Sequence, residues 1–280
     1  MILLIALGTA GGYAIWRHVR QSVLAAADYR LDLDDFEITP VPKWIHSDVR
    51  LEAVQNASLD GGPSILEEDL VERIDKAFGA HPWVARVERV SKRHPARVKV
   101  DLVYRRPVCM VELPRLAELP EGGLYPVDAE GVLLPTKDFT PIEGQEYPRL
   151  CEVTTLPMGS PGMKWGDARV AGGAMVAAAL VDAWKTLKLS RIVPSAGPAS
   201  GTDEHTFELW TAGGTQVIWG SAVAMPGERP AAAKVDQLLR YAAEHGGLEG
   251  SAGPQVFDVR QWEADRITPR TASRPMRTAP

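Results

Sequence analysis

The sequence predicts an α+β protein: an apolar N-terminal segment, a compact strand–helix–helix–strand–strand module, and a β-rich second half of mainly antiparallel strands with covering helices. Three observations carry this. Val98, Val100, Leu102 and Tyr104 alternate with Lys99, Asp101, Val103 and Arg105, the period of two that marks a half-buried strand. Just upstream, Leu66, Leu70, Ile74, Ala77 and Phe78 recur at helical spacing. Further on, the turns Asp128-Ala129-Glu130-Gly131 and Ala212-Gly213-Gly214 each separate two apolar runs, as hairpin turns do.

Residues 2–16 carry no charge and are mostly apolar, and Arg17, His18 and Arg20 follow. A bilayer-spanning helix wants about 20 apolar residues, so this run suffices only if the basic side chains snorkel. Three readings fit: a single-pass transmembrane anchor over residues 1–23, a signal peptide cleaved near Ala25-Ala26-Ala27, or a buried helix of a soluble domain. The positive-inside rule places Arg17 and Arg20 in the cytoplasm, whereas the rest of the chain reads as an exported domain. An upstream basic tail would remove that conflict.

Residues 22–43 are acidic and irregular, with a strand expected over 31–38 before Pro40 and Pro42. Ser47 or Asp48 caps a short helix that runs to Gln55. Ser64 and Glu67 have capping-box spacing, so a second helix is expected from Ser64 until Gly79 and Pro82 stop it. Two strands follow, residues 84–90 and 98–105, joined at His94-Pro95. Pro107 cannot donate to a ladder and ends the second.

Residues 114–123 read as a linker. A hairpin is expected from residues 124–127 and 132–134, then an extended piece at Pro148-Arg149-Leu150. Asp167 caps a helix with Val170, Ala174, Ala177, Val181 and Trp184 on one face. A second hairpin joins residues 206–211 to 215–219. Residues 231–245 form an amphipathic helix with Val235, Leu238, Leu239 and Ala242 inward, ended by Gly246-Gly247. Residues 256–260 and 266–268 are the last two strands.

The formal charge of −5 gives no basic face for nucleic acid. The one basic cluster, Arg266, Arg270, Arg274 and Arg277, runs into a Pro- and Thr-rich tail, residues 270–280, of disordered composition. None of His18, His46, His81, His94, His205 and His245 stands at metal-ligand spacing, and His81 and His94 read as solvated turn residues. There is no nucleophile elbow, phosphate loop or dinucleotide fingerprint. Asp203-Glu204-His205 reads as a solvated loop, and Trp83, Trp184, Trp210 and Trp219 as packing residues. Cys109 and Cys151 either pair in an oxidising compartment or are two small apolar residues. The pattern points to no catalytic, cofactor or metal site.

The order of motifs resembles the FtsQ/DivIB family of bacterial cell-division proteins. Pro82-Trp83-Val84, Val87, Val90, Arg93-His94-Pro95, Val98, Val100 and Arg106-Pro107-Val108 resemble the second half of the family's POTRA domain. Val127-Asp128-Ala129-Glu130-Gly131-Val132-Leu133 resembles the strand that opens its β domain. Residues 209–220 resemble a later hairpin, and Phe257-Asp258-Val259-Arg260 a late strand. Tyr104, His94 and Trp219 depart from the family pattern, which has Glu, an aromatic residue and Leu there.

The resemblance implies a POTRA-like domain over residues 28–112 and a β domain over 120–269. It implies a non-catalytic scaffold of the division site, single-pass in the inner membrane with its bulk outside the cytoplasm. Its partners would be small bitopic division proteins like FtsB and FtsL and other divisome components, with no small-molecule substrate and no nucleic acid. The POTRA domain would serve recruitment, and the final strands would accept a partner segment by strand addition. That edge falls at Val259, Arg260, Gln261, Trp262, Ala264, Arg266 and Ile267. The competing class is a POTRA-containing accessory of outer-membrane protein assembly or secretion, which would carry tandem modules or a lipid-facing barrel; neither pattern is visible.

Overall fold

A computed structural model of the chain describes residues 27–115, 122–195, 205–249, 253–261 and 266–269, with Gly12 and residues 16–18. The chain divides into two compact units, residues 1–105 and 106–280. No helix among the described residues is long and apolar enough to cross a membrane. Most of the expected anchor, residues 1–23, and the tail, 270–280, lie outside the described residues.

In the first unit the elements run β1 (Phe36–Ile38), α1 (Val49–Asn56), α2 (Leu70–Gly79), β2 (Val84–Arg93) and β3 (Arg97–Tyr104). The sheet order is β1-β3-β2. β3 is central, parallel to β1 (Phe36↔Val98) and antiparallel to β2 (Val90↔Val100). The period of two has its expected result: Val98, Val100 and Leu102 are buried with Phe36, Ile74, Phe78 and Trp83. Each large side chain so buried is worth roughly 1.5–3 kcal/mol. The Asp48 carboxylate caps α1 by accepting from Leu51 N at 3.0 Å. The Tyr104 hydroxyl donates to the Thr39 carbonyl at 2.7 Å, tying the end of β3 to the segment after β1.

Three expectations change here. The first strand is shorter than 31–38, because residues 33–35 form a 3₁₀ turn closed by Asp32 N on the Asp35 carboxylate at 2.9 Å. The second helix starts at Leu70 rather than Ser64. Ser64 N does donate to the Glu67 carboxylate at 2.9 Å, but Ile65 N pairs with Tyr29 O and Leu31 N with Pro63 O, which commits this backbone to an antiparallel bridge. Ile65 is therefore buried and Leu66 exposed. Finally, His81 is not a solvated turn residue. It is buried, accepts from Trp83 N at 3.3 Å through Nδ1, and so carries its proton on Nε2, 3.3 Å from the Glu52 carboxylate.

In the second unit the order is β4 (Cys109–Leu113), β5 (Gly123–Val127), α3 (Pro141–Gln145), β6 (Arg149–Leu150), α4 (Ala168–Leu180), β7 (Leu189–Ser195), β8 (Thr206–Thr211), β9 (Gln216–Ser221), α5 (Ala231–His245), β10 (Gln255–Asp258) and β11 (Arg266–Pro269). All eight strands lie in one mixed sheet, ordered β11-β10-β9-β8-β7-β6-β4-β5. β4–β6, β6–β7 and β9–β10 are parallel; the other neighbours are antiparallel. α4 packs on β4, β6 and β7, and α5 packs on α4. Two glycines inside α4 let the sheet come close. A Cβ on Gly173 would lie 2.5 Å from Leu150, and one on Gly172 would lie 2.6 Å from Phe207.

The Asp128 turn is real, with Asp128 Oδ1 accepting from Glu130 N and Val132 N. The hairpin expected on it shrinks to a bridge, Val127↔Leu133, because Leu133 N and Trp165 N bond instead within the 131–165 loop. β5 pairs with β4, so residues 114–122 join two adjacent strands. Residues 109–112, drawn with the first domain from sequence, pair in the second sheet as part of β4. Cys109 and Cys151 are both free thiols. Burial, and then its bond to Glu112 at 3.3 Å, pushes the Cys151 thiol up to about 12.

Candidate partner-binding edge

β11 is the last strand of the sheet order, so among the described residues one of its two sides has no strand beside it. It pairs antiparallel with β10, with Phe257↔Ile267 and Asp258↔Arg266 in register. β10 in turn runs parallel to β9, with Phe257↔Val217. Phe257 is buried and meets Tyr241 of α5 edge-on, with ring centroids 4.8 Å apart. The strand pair is thus anchored through β10, and β11 is its outer member.

The seven residues singled out in the sequence fall in different settings. Val259 is fully buried and donates its N–H to Ile218 O at 3.3 Å, so it supports the edge from within the core. Arg260 grips Asp258 with two bonds, 2.9 and 2.7 Å, and this carboxylate raises the guanidinium pKa. Gln261 is exposed. Trp262 and Ala264 lie outside the described residues. Arg266 and Ile267 belong to β11 by their backbone.

A buried polar group next to this edge escaped the sequence reading. Lys234 of α5 is 1% exposed. Its Nζ donates to Trp219 O at 2.7 Å and to Glu228 at 3.0 Å. The signal for it was present: Lys234, Leu238 and Ala242 are spaced i, i+4, i+8 along one helix face, and all three are buried.

Elsewhere in the second unit Asp167 caps α4, accepting from Arg169 N at 2.8 Å. Burial pushes its carboxyl up, but bonds from Arg169 and Thr155 outweigh that and hold it at about 2. A groove of about 750 Å³ is lined by Glu112, Tyr147, Arg149, Cys151, Glu152 and Arg191 among others. Its arginines and glutamates balance, and its thiol is protonated, so it holds no activated nucleophile. Among the described residues no group of three or more His, Cys, Asp or Glu side chains could hold a metal ion.

Fold and edge together define a class: a two-unit α+β protein whose second unit is a mixed sheet ending in a strand open on one side. No protein-family model matches the chain. It is 30% identical over 149 residues to the cell division protein FtsQ of Myxococcus fulvus, a match covering 52% of this chain and 45% of that relative. The match spans less than half of that relative's length.

Proposed function

We propose that this chain is a non-catalytic scaffold of the bacterial division site. The observation that carries the reading is its similarity to a cell division protein FtsQ, at 30% identity over 149 residues. Residues 1–23 would anchor it in the inner membrane as a single pass, with both units outside the cytoplasm. The first unit, which runs strand–helix–helix–strand–strand, would act as a POTRA-like recruitment domain; the second unit, from residue 106 on, would be the β domain that holds the partner site.

Partner capture would take place on β11. An open strand side presents unpaired backbone donors and acceptors, and an incoming strand satisfies them. Gln261, Trp262, Ala264, Arg266 and Ile267 would frame the approach, with Val259 and Arg260 holding the strand pair behind it. The partners would be small single-pass division proteins like FtsB and FtsL.

Two experiments test this. Depletion of the protein is expected to give filamentous, undivided cells; normal division with loss of outer-membrane proteins would favour the outer-membrane assembly class instead. Affinity purification from membranes is expected to bring down a small bitopic division protein, and to lose it when Ile267→Pro removes a backbone donor from β11. Undiminished recovery from that variant and from Thr268→Pro alike would remove β11 as the capture edge.

A further inference from the structure

The cluster around Lys234 has a bearing on how β11 reaches its place. An ammonium group buried without partners is very costly. Here the partners are supplied: the Trp219 carbonyl at 2.7 Å, Glu228 at 3.0 Å, and the Trp219 ring, whose centroid is 5.1 Å away. Glu228 Oε2 also accepts from Ser221 N at 3.2 Å. Both ends of this ion pair therefore grip the last residues of β9.

Glu228 is the residue before Arg229, and Arg229 N donates to the Arg260 carbonyl at 2.8 Å. Arg260 lies two residues past the end of β10, on the way to β11. Gly220 sits where these groups converge, at φ +87. A Cβ there would come within 2.6 Å of the Glu228 carboxylate and 2.9 Å of the Arg260 side chain. Arg260 is in turn clamped onto Asp258, the β10 residue opposite Arg266. One continuous set of contacts thus runs from α5 through β9 and residues 228–229 to the exit of β10.

An apolar side chain of similar size at Lys234 would serve stability about as well as a buried ion pair does. What such a side chain cannot do is bond Trp219 and Glu228 at once. We infer that Lys234 and Glu228 are positioning residues for the C-terminal strand pair: by fixing residue 229 against Arg260, they hold the point from which β11 is delivered to the sheet edge. This rests on the reading of β11 as the partner-capture edge.

Hydrogen exchange on the full-length protein, free of any partner, tests it. In Lys234→Met, amides of residues 256–260 and 266–268 are expected to exchange roughly tenfold faster, while β4 to β7 keep their protection. The double variant Lys234→Met/Glu228→Gln leaves no buried charge and keeps an acceptor for Ser221 N. It is expected to regain thermal stability relative to Lys234→Met yet to keep the fast exchange at the edge, and it gives the same readout if the single variant does not fold. Unchanged exchange in β10 and β11, or a rise of equal size across the whole sheet, would overturn the inference. Because no partner is present, this outcome is separate from that of Ile267→Pro, which tests the capture reading itself.

Discussion

The outer strands of the two sheets differ in how they are closed to further pairing. β2, an outer strand of the first sheet, is ten residues long and carries Arg86, Glu88, Arg89, Lys92 and Arg93, with two register shifts along its length. Charges and bulges of this kind discourage another strand from adding. β1 is three residues long. In the second sheet, β5 carries Pro126, which has no N–H to offer. β11 has one charged residue, Arg266, and its proline, Pro269, comes only at its end. β2 and β5 are blunted by charges, register shifts or a proline, whereas β11 has one charge and no proline before its end.

The largest expected effects come from the cores behind these edges. Trp219→Ala should destabilise the second unit, and Trp83→Ala the first, by about 3–5 kcal/mol each, since both rings are almost fully buried. Chemical denaturation reads the loss; a shift under about 1 kcal/mol would mean the ring is not packed as described. Next is His81→Phe, which removes the acceptor for Trp83 N and the donor to Glu52. A cost of roughly 1–3 kcal/mol follows from losing these hydrogen bonds in a buried setting, and a neutral result would show that they do not support the fold.

A smaller effect depends on pH. Asp167 titrates at about 2 when folded, below the ordinary 3.8. A lowered carboxylate pKa stabilises the fold above the ordinary value, and this contribution fades as pH falls from about 4 towards 2. Asp167→Asn should therefore be less stable than the parent at pH 7, with the gap closing as pH falls through about 2, in thermal melts at each pH. A stability gap that does not change with pH would show that the Arg169 contacts are not the cause.

The smallest effect on stability belongs to the blunted edge. Arg86 and Glu88 face each other at 3.0 Å, exposed on β2. Replacing both with Thr should change stability by no more than about 1 kcal/mol, as for other exposed ion pairs. It should nevertheless promote self-association, read by light scattering. A variant that stays monomeric at high concentration would show that these charges do not guard the edge.

Much of this contrast was legible in the sequence where burial is one-sided. β3 alternates cleanly because one of its faces is packed and the other wet, and α5 shows its stripe for the same reason. β4 did not show, because Cys109, Met110 and Val111 are all buried and the run has no period to read. β7 was missed because a register shift at its start and Pro194 break its alternation. Pro194 is tolerated since β6 pairs only with Arg191 and Ile192, so no ladder bond is lost on that side. The capping-box spacing of Ser64 and Glu67 reads as a helix start and is not one, because pairing with residues 29–31 is not a local signal. Of the site, pattern shows the strands at 256–260 and 266–268 and the family resemblance supplies the edge residues, while Lys234 reads as an ordinary lysine of an amphipathic helix.

The central claim is that β11 takes a partner strand. Neighbouring residues of a strand point their N–H groups to opposite sides, so of Ile267→Pro and Thr268→Pro one must remove a donor on the open side. Each variant, expressed at full length and purified from membranes, would be compared with the parent for recovery of the small bitopic division protein that co-purifies with it. The account predicts that at least one of the two loses that protein while keeping the parent's circular dichroism spectrum. Full recovery by both would contradict it.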